Sequence, residues 1–156
     1  MAKFEITFDL DELKREIGEI TEDIHKGVEE GLKVCANEIK EKEQRYIEQR
    51  TGQGEYIPTG NLKHSVTIMP LNWSPGLASI SVTNVANYAD FTESGTGIYA
   101  DNGNGRQNGW VYSPDGGNTF FFTEGMRPKH FARDTFEEYK DKAPAIIKEQ
   151  IYYHIK

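Results

Sequence analysis

Phe4, Ile6 and Phe8 alternate with Lys3, Glu5 and Thr7 at the start of the chain. A period of two predicts a half-buried strand. It must find its partner later in the sequence, because a lone strand is not stable. Asp9 then reads as a helix N-cap, with Glu12 three residues on in a capping-box-like pattern. Leu10, Leu13, Ile17, Ile20, Ile24, Val28, Cys35 and Ile39 recur at threes and fours, with Glu and Lys between them. This stripe predicts a long amphipathic helix over 9–50 with one buried face. A coiled coil would share the heptad-like start; an intramolecular core face is the reading adopted. Gly27 and Gly31 lie one turn apart inside it. Each costs roughly 1 kcal/mol against Ala in an exposed helix interior. They mark either a close helix contact or bend, or a tolerated weakness.

Residues 51–60 are a loop by composition. Val66 and Ile68, then Leu77, Ile80 and Val82, lie in two β-like runs split by Asn72-Trp73-Ser74-Pro75-Gly76. They predict an antiparallel hairpin over 62–83. The central stretch, Asn84 to Gly97, follows. Ala86, Tyr88, Ala89, Phe91 and Thr92 fit a short helix with one apolar side. Asn84 or Asn87 can cap its start and Gly95 can end it. Residues 95–109 are mostly small and polar, and a flexible exposed loop is expected there. A second hairpin is expected over 110–123, from Trp110-Val111-Tyr112 and Thr119-Phe120-Phe121-Phe122-Thr123. A C-terminal helix over 129–153 carries Phe131, Ala132, Phe136, Tyr139, Ile146, Ile147 and Ile151, and Pro144 must kink it or start a new segment. The elements predict one α+β domain over 1–156. Its antiparallel sheet has about five strands, with a long N-terminal helix and a C-terminal helix packed on it.

Length and charge narrow the picture. A chain of 156 residues can bury a core without staples. A net charge of -7 argues against a broad nucleic-acid footprint, which needs a basic face. The one cysteine, Cys35, lies on the apolar stripe and reads as a buried thiol in a reducing compartment. No apolar run approaches a membrane span, and the first residues lack the apolar core of a signal peptide. A soluble protein made in a cytoplasm is expected, so the Asn72-Trp73-Ser74 sequon carries little weight.

Candidate chemistry is sparse. Gly95-Thr96-Gly97-Ile98-Tyr99-Ala100 matches a dinucleotide fingerprint formally, but a helix-like turn precedes it and a glycine loop follows. Asp101-Asn102-Gly103-Asn104-Gly105 has glycines where a calcium loop needs oxygen ligands. His25, His64, His130 and His154 share no metal spacing. Asp90 and Glu93 are neighbouring acids on the short helix. As a pair they would suit a hydrolase, together with His64, only in a cleft that raises one pKa; a solvated surface is the plainer reading. Neither cofactor nor metal is expected.

Three ordered patterns add a resemblance. They are Pro58-Thr59-Gly60-Asn61-Leu62-Lys63-His64-Ser65, then Tyr88-Ala89-Asp90-Phe91-Thr92-Glu93-Ser94-Gly95-Thr96, then Gly109-Trp110-Val111-Tyr112 followed by Pro128-Lys129-His130-Phe131. Together they resemble the tail-completion, or head-to-tail joining, family of tailed bacteriophages and prophages, over roughly residues 10 to 150. The chain departs from that family's pattern at Phe91, where Tyr or Val is common, and at Lys129 and His130, which separate Pro128 from Phe131. The resemblance implies a structural virion protein without catalysis, made in the bacterial host cytoplasm. It would form a ring at the neck and contact itself and tail-tube or head-connector proteins, with no membrane or direct nucleic-acid partner. A tail terminator is the nearest alternative, and a small hydrolase using Asp90 and Glu93 a more distant one. The motif residues would then have structural roles. Gly60 accepts a positive φ in the turn before the hairpin. Tyr88 and Phe91 lock the short helix to the sheet. Glu93 accepts from N–H groups of the Gly95-Thr96-Gly97 turn, and Phe131 staples the last helix to the core.

Overall fold

The computed structural model describes residues 3–52 and 60–155. Strand β1 (Lys3–Asp9) leads directly into helix α1 (Leu10–Ile17). Phe4 and Ile6 point into the core and their neighbours point out, as the period of two requires. Asp9 caps α1, its carboxylate accepting from the Glu12 amide at 2.9 Å.

The helix expected over 9–50 is two helices. Gly18, at φ +89, ends α1 with its N–H on the Lys14 carbonyl. Thr21 then caps α2 (Glu22–Arg50), its hydroxyl accepting from the Ile24 amide. The break takes Ile17 out of the stripe and leaves it 47% exposed. Helix α2 is the centre of the molecule. Val28, Leu32, Cys35, Ala36, Ile39 and Ile47 form its buried face.

A one-turn helix α3 (Asn61–His64) precedes β2 (Val66–Ile68), β3 (Asn72–Ser74) and β4 (Leu77–Asn84). β4 is the hub of a four-stranded antiparallel sheet, paired on one side with β1 and on the other with β2 and β3. Val66 stands opposite Asn84 and Ile68 opposite Val82, but Asn72 stands opposite Ser79. One extra residue therefore sits in the Met69-Pro70-Leu71 segment, a bulge at the proline, which cannot donate to a ladder. The apolar face of the sheet, with Ile80 and Val82, lies on α2.

The chain continues through α4 (Ala89–Ser94), a 3₁₀ turn (Gly97–Tyr99), the ribbon β5 (Trp110–Tyr112) with β6 (Phe121–Thr123), and helices α5 (Phe131–Tyr139) and α6 (Lys142–His154). The ribbon is separate from the main sheet. The expected C-terminal helix is also divided, at Lys140–Asp141. Pro144 sits in the first turn of α6, where its missing N–H is not needed.

α6 packs along α2 with small residues at the crossing. A Cβ on Gly27 would stand 2.6 Å from the Ile151 Cα, and one on Gly31 2.7 Å from the Ile147 Cα. The glycines are there because two helix backbones approach too closely for any side chain. α5 crosses α2 nearby and reaches β1, where Phe136 stacks on Phe4 with ring centres 5.7 Å apart. The fold is thus α+β, with an antiparallel sheet on one flank of a long helix and the C-terminal helices on another.

Candidate functional site

The motif segments, distant in sequence, meet on one side of α2. Asn84, fully buried at the end of β4, donates from Nδ2 to the Leu62 carbonyl at 2.7 Å and accepts from the Ala86 amide at 3.1 Å. It joins the first motif to the approach of the second rather than capping α4, which has no side-chain cap. Gly60 has φ +77, Leu62 is buried, and Asn61 donates from its side-chain Nδ2 to the Tyr88 hydroxyl at 3.1 Å. Pro58 and Thr59 lie outside the described residues.

The second and third motifs are paired through their backbones. The Lys129 amide donates to the Thr92 carbonyl at 2.9 Å, and the His130 amide to the Glu93 carbonyl at 3.2 Å. Thr96 and Met126 exchange two bonds of 2.9 Å, amide to carbonyl one way and amide to hydroxyl the other. The Ile98 amide adds a bond to the Glu124 carbonyl. Gly97 (φ +62) and Gly125 (φ +128) let these two backbones come closer than any Cβ would permit. Gly95 is buried against Met126 and Pro128 in the same way. The segment expected to be a flexible loop over 95–109 is therefore fastened at its base. Its apolar anchors are few, as the sequence indicates, but the bonds that hold it are main-chain bonds.

Two roles are corrected. Glu93 does not cap the Gly95-Thr96-Gly97 turn. Its two carboxylate oxygens accept from the Ala132 and Arg133 amides, each at 2.9 Å, and so cap α5 from 40 residues away. A carboxylate at a helix N-terminus meets free N–H groups and the positive end of the dipole. Phe91 does not lock α4 to the sheet. It is 61% exposed, and Ala89 and Thr92 make the buried side of that helix. Phe131 is fully buried, as a core residue should be.

Between these segments lies an apolar groove of about 790 Å³. Ile47 and Leu62 form part of its floor. Tyr88, Phe91, Thr96, Trp110, Tyr112, Met126 and Lys129 line it further, with Glu48 and Lys63, an ion pair at 3.0 Å, at its edge. Ribbon β5–β6 forms one wall with Trp110, Tyr112 and Thr123. Val111 and Phe122, opposite each other on the ribbon's other face, are 61% and 69% exposed, and Phe120 is 67% exposed. Asp115 holds the ribbon's turn, accepting from the Thr119 amide and hydroxyl, the Asn118 amide and the Ser113 hydroxyl. These donors pull its carboxyl well below the usual range, those of Thr119 most strongly.

Among the described residues, the four histidines, Cys35 and Asp90 all lie outside the groove lining. His25 sits edge-on to Trp73, His154 pairs with Glu30, His130 stands 3.4 Å from Asp101, and His64 is exposed. The Cys35 thiol points at the Ala143 carbonyl, and burial pushes it up to about 12. Asp90 is on the surface. No group of three or more His, Cys, Asp or Glu is placed to hold a metal among the described residues. Among the described residues, no helix is long and apolar enough to cross a membrane.

Two residues here escaped the sequence reading. Arg50 donates from Nη1 to the Lys129 and His130 carbonyls and to Asp134, at 2.8, 2.9 and 2.8 Å. Its partners are some 80 residues away and leave no local signal. Glu43 is only 1% exposed, and its Oε1 has no hydrogen-bond partner among the described residues. Burial first, and then the charge of Glu93, push its carboxyl up to about 8. Glu43 does have a local signal: it falls four residues after Ile39 and four before Ile47, on the apolar stripe.

Compared with protein-family models, curated proteins and solved structures, the chain matches none.

Proposed function

We propose that this chain is a structural protein of a tailed-bacteriophage virion, made in the host cytoplasm. It works at the neck, where the tail meets the head connector, as part of a ring. The observation that carries the reading is the uncovered apolar face of ribbon β5–β6. A two-stranded ribbon is marginal by itself, and this one turns Val111, Phe120 and Phe122 to solvent. Such a face on a projecting element suits a subunit contact. In a ring each copy would present its ribbon to the next, a head-to-tail interface that closes by rotation. The motif residues serve this role indirectly. Gly95, Thr96, Pro128 and Glu93 fasten the base of the segment that carries the ribbon. A hydrolase that uses Glu93 is the weaker reading, because both its carboxylate oxygens are occupied by α5.

The test is paired. Light scattering of the purified protein across a concentration series is expected to show an oligomer. The double variant Val111→Ser/Phe122→Ser should be monomeric with an unchanged urea midpoint. Phage assembled without this protein should yield separate filled heads and finished tails under the electron microscope. A protein that stays monomeric at high concentration, with normal particles formed in its absence, would refute the proposal.

A further inference from the structure

The two faces of ribbon β5–β6 differ in what they meet. Alternation along the strands turns Trp110, Tyr112 and Thr123 toward the groove, which they wall. Val111 and Phe122 point the other way, and both are exposed, as is Phe120 just before β6. The groove's own lining is also incompletely covered, since Phe91 and Tyr112 are exposed. One molecule therefore carries two uncovered apolar surfaces, a ridge and a groove, on opposite sides of a single ribbon.

A contact between two outer faces across a twofold would cover the ridge and leave the groove bare. Seating the ridge of one copy in the groove of the next covers both surfaces at once. That contact also repeats in one direction: a ribbon whose inner face walls an occupied groove still offers its outer face to the following copy. The groove, at about 790 Å³, lies within the range of clefts that bury a ligand-sized group, roughly 300–1,000 Å³.

Charge agrees with this pairing. From Trp110 to Thr123 the ribbon carries a single charged residue, Asp115 at its turn. The charged groups of the groove lining are Glu48, Lys63 and Lys129. Lys63 is matched by Glu48, which leaves the positive charge of Lys129 in surplus. An acidic turn is attracted to such a groove, whereas two acidic turns offer each other no match.

We propose that the groove is the seat for a second copy of this chain: Val111, Phe120 and Phe122 of one ribbon enter the cleft bounded by Phe91, Trp110 and Lys129 of the next molecule. The inference rests on the reading of the ribbon as a subunit contact and adds the surface that receives it.

Mixing two broken copies tests it. Val111→Ser/Phe122→Ser loses the ridge and keeps the groove; Phe91→Ser/Lys129→Glu keeps the ridge and loses the groove. Each variant alone should be monomeric by light scattering at concentrations where the wild type associates, with an unchanged urea midpoint. Mixed one to one, they should form a dimer and stop there, because one intact ridge meets one intact groove. A groove variant that associates like wild type, or a mixture that stays monomeric, would overturn the docking and leave the ribbon contact standing. The first is the result if the groove takes the chain's own residues 53–59 or a different protein. A wild type that is monomeric at every concentration would overturn the ribbon contact itself, and this inference with it. Cysteine trapping checks the contact with single changes at two exposed positions, Phe91→Cys and Phe122→Cys; the native Cys35 is buried. Oxidised with diamide, the mixture should give a disulfide-linked dimer with one chain of each kind. Linking of Phe122→Cys to itself, or no mixed dimer, would overturn the docking.

Discussion

Replacing Gly31 with Ala is expected to destabilise the protein, against the ordinary helix preference. In an exposed helix interior, Gly to Ala gains roughly 1 kcal/mol. Here the new Cβ would stand 2.7 Å from the Ile147 Cα and 3.2 Å from that residue's Cβ and Cγ2. The nearest atom is backbone, so no rotamer change removes the clash. α6 must move away from α2 along their whole shared length. Inserting one carbon into a packed core typically costs about 1–3 kcal/mol, more where backbones must part. Net of the propensity gain, a loss of about 1–2 kcal/mol is expected. Urea unfolding measures it as a lower midpoint with an unchanged slope. Two controls sharpen the result. Asn37→Ala, on the exposed side of α2, should leave stability within about 0.5 kcal/mol of wild type. Ile147→Ala in the Gly31→Ala background should fail to rescue, because the offending Cα remains. A Gly31→Ala protein as stable as wild type, or rescued by Ile147→Ala, would show that the helices are not in backbone contact.

Phe131→Ala should cost about 3–5 kcal/mol in urea unfolding, as deletion of a fully buried Phe does; a change under about 1 kcal/mol would contradict its burial. Glu93→Gln should remove a charge-assisted cap worth at most about 1.5–3 kcal/mol, and the amide shifts of Ala132 and Arg133 should move while those of Gly95 and Gly97 do not. The Cys35 thiol, pushed up to about 12 by burial, should resist thiol reagents at pH 8 in the native state and react at once in urea; fast native labelling would refute its placement.

Much of the fold is legible because burial writes itself as periodicity. The alternation of Phe4 and Ile6 and the stripe from Ile24 to Ile39 both match the buried positions. The stripe also misled. Its threes and fours run on through Gly18 and Thr21, where a C-terminal glycine and an N-cap threonine mark a break, and the caps outweighed the periodicity. An aromatic on a short helix suggests core, yet Phe91 faces outward, because α4 is too short for its phase to be fixed by two small residues. The candidate site is less legible. The fastening of 92–98 to 124–130 is made by amides and carbonyls, which every residue carries. Glu93 carries a side-chain signal, an acid free to cap something, but the helix it caps is 40 residues downstream.

The fastening has a consequence for how such a chain can change over time. Gly97 and Gly125 bring the two ends of the 98–124 excursion side by side, and the rest of the molecule meets that excursion mainly at its stem. The entropy of closing a flexible loop grows slowly with length, about 0.6 kcal/mol per doubling. Sequence between the two glycines can therefore be lengthened, shortened or exchanged for an unrelated hairpin with small effect on the body. Residues 98–124 form a replaceable cassette on a stable frame, and the paired glycines are the places at which one insert could be swapped for another.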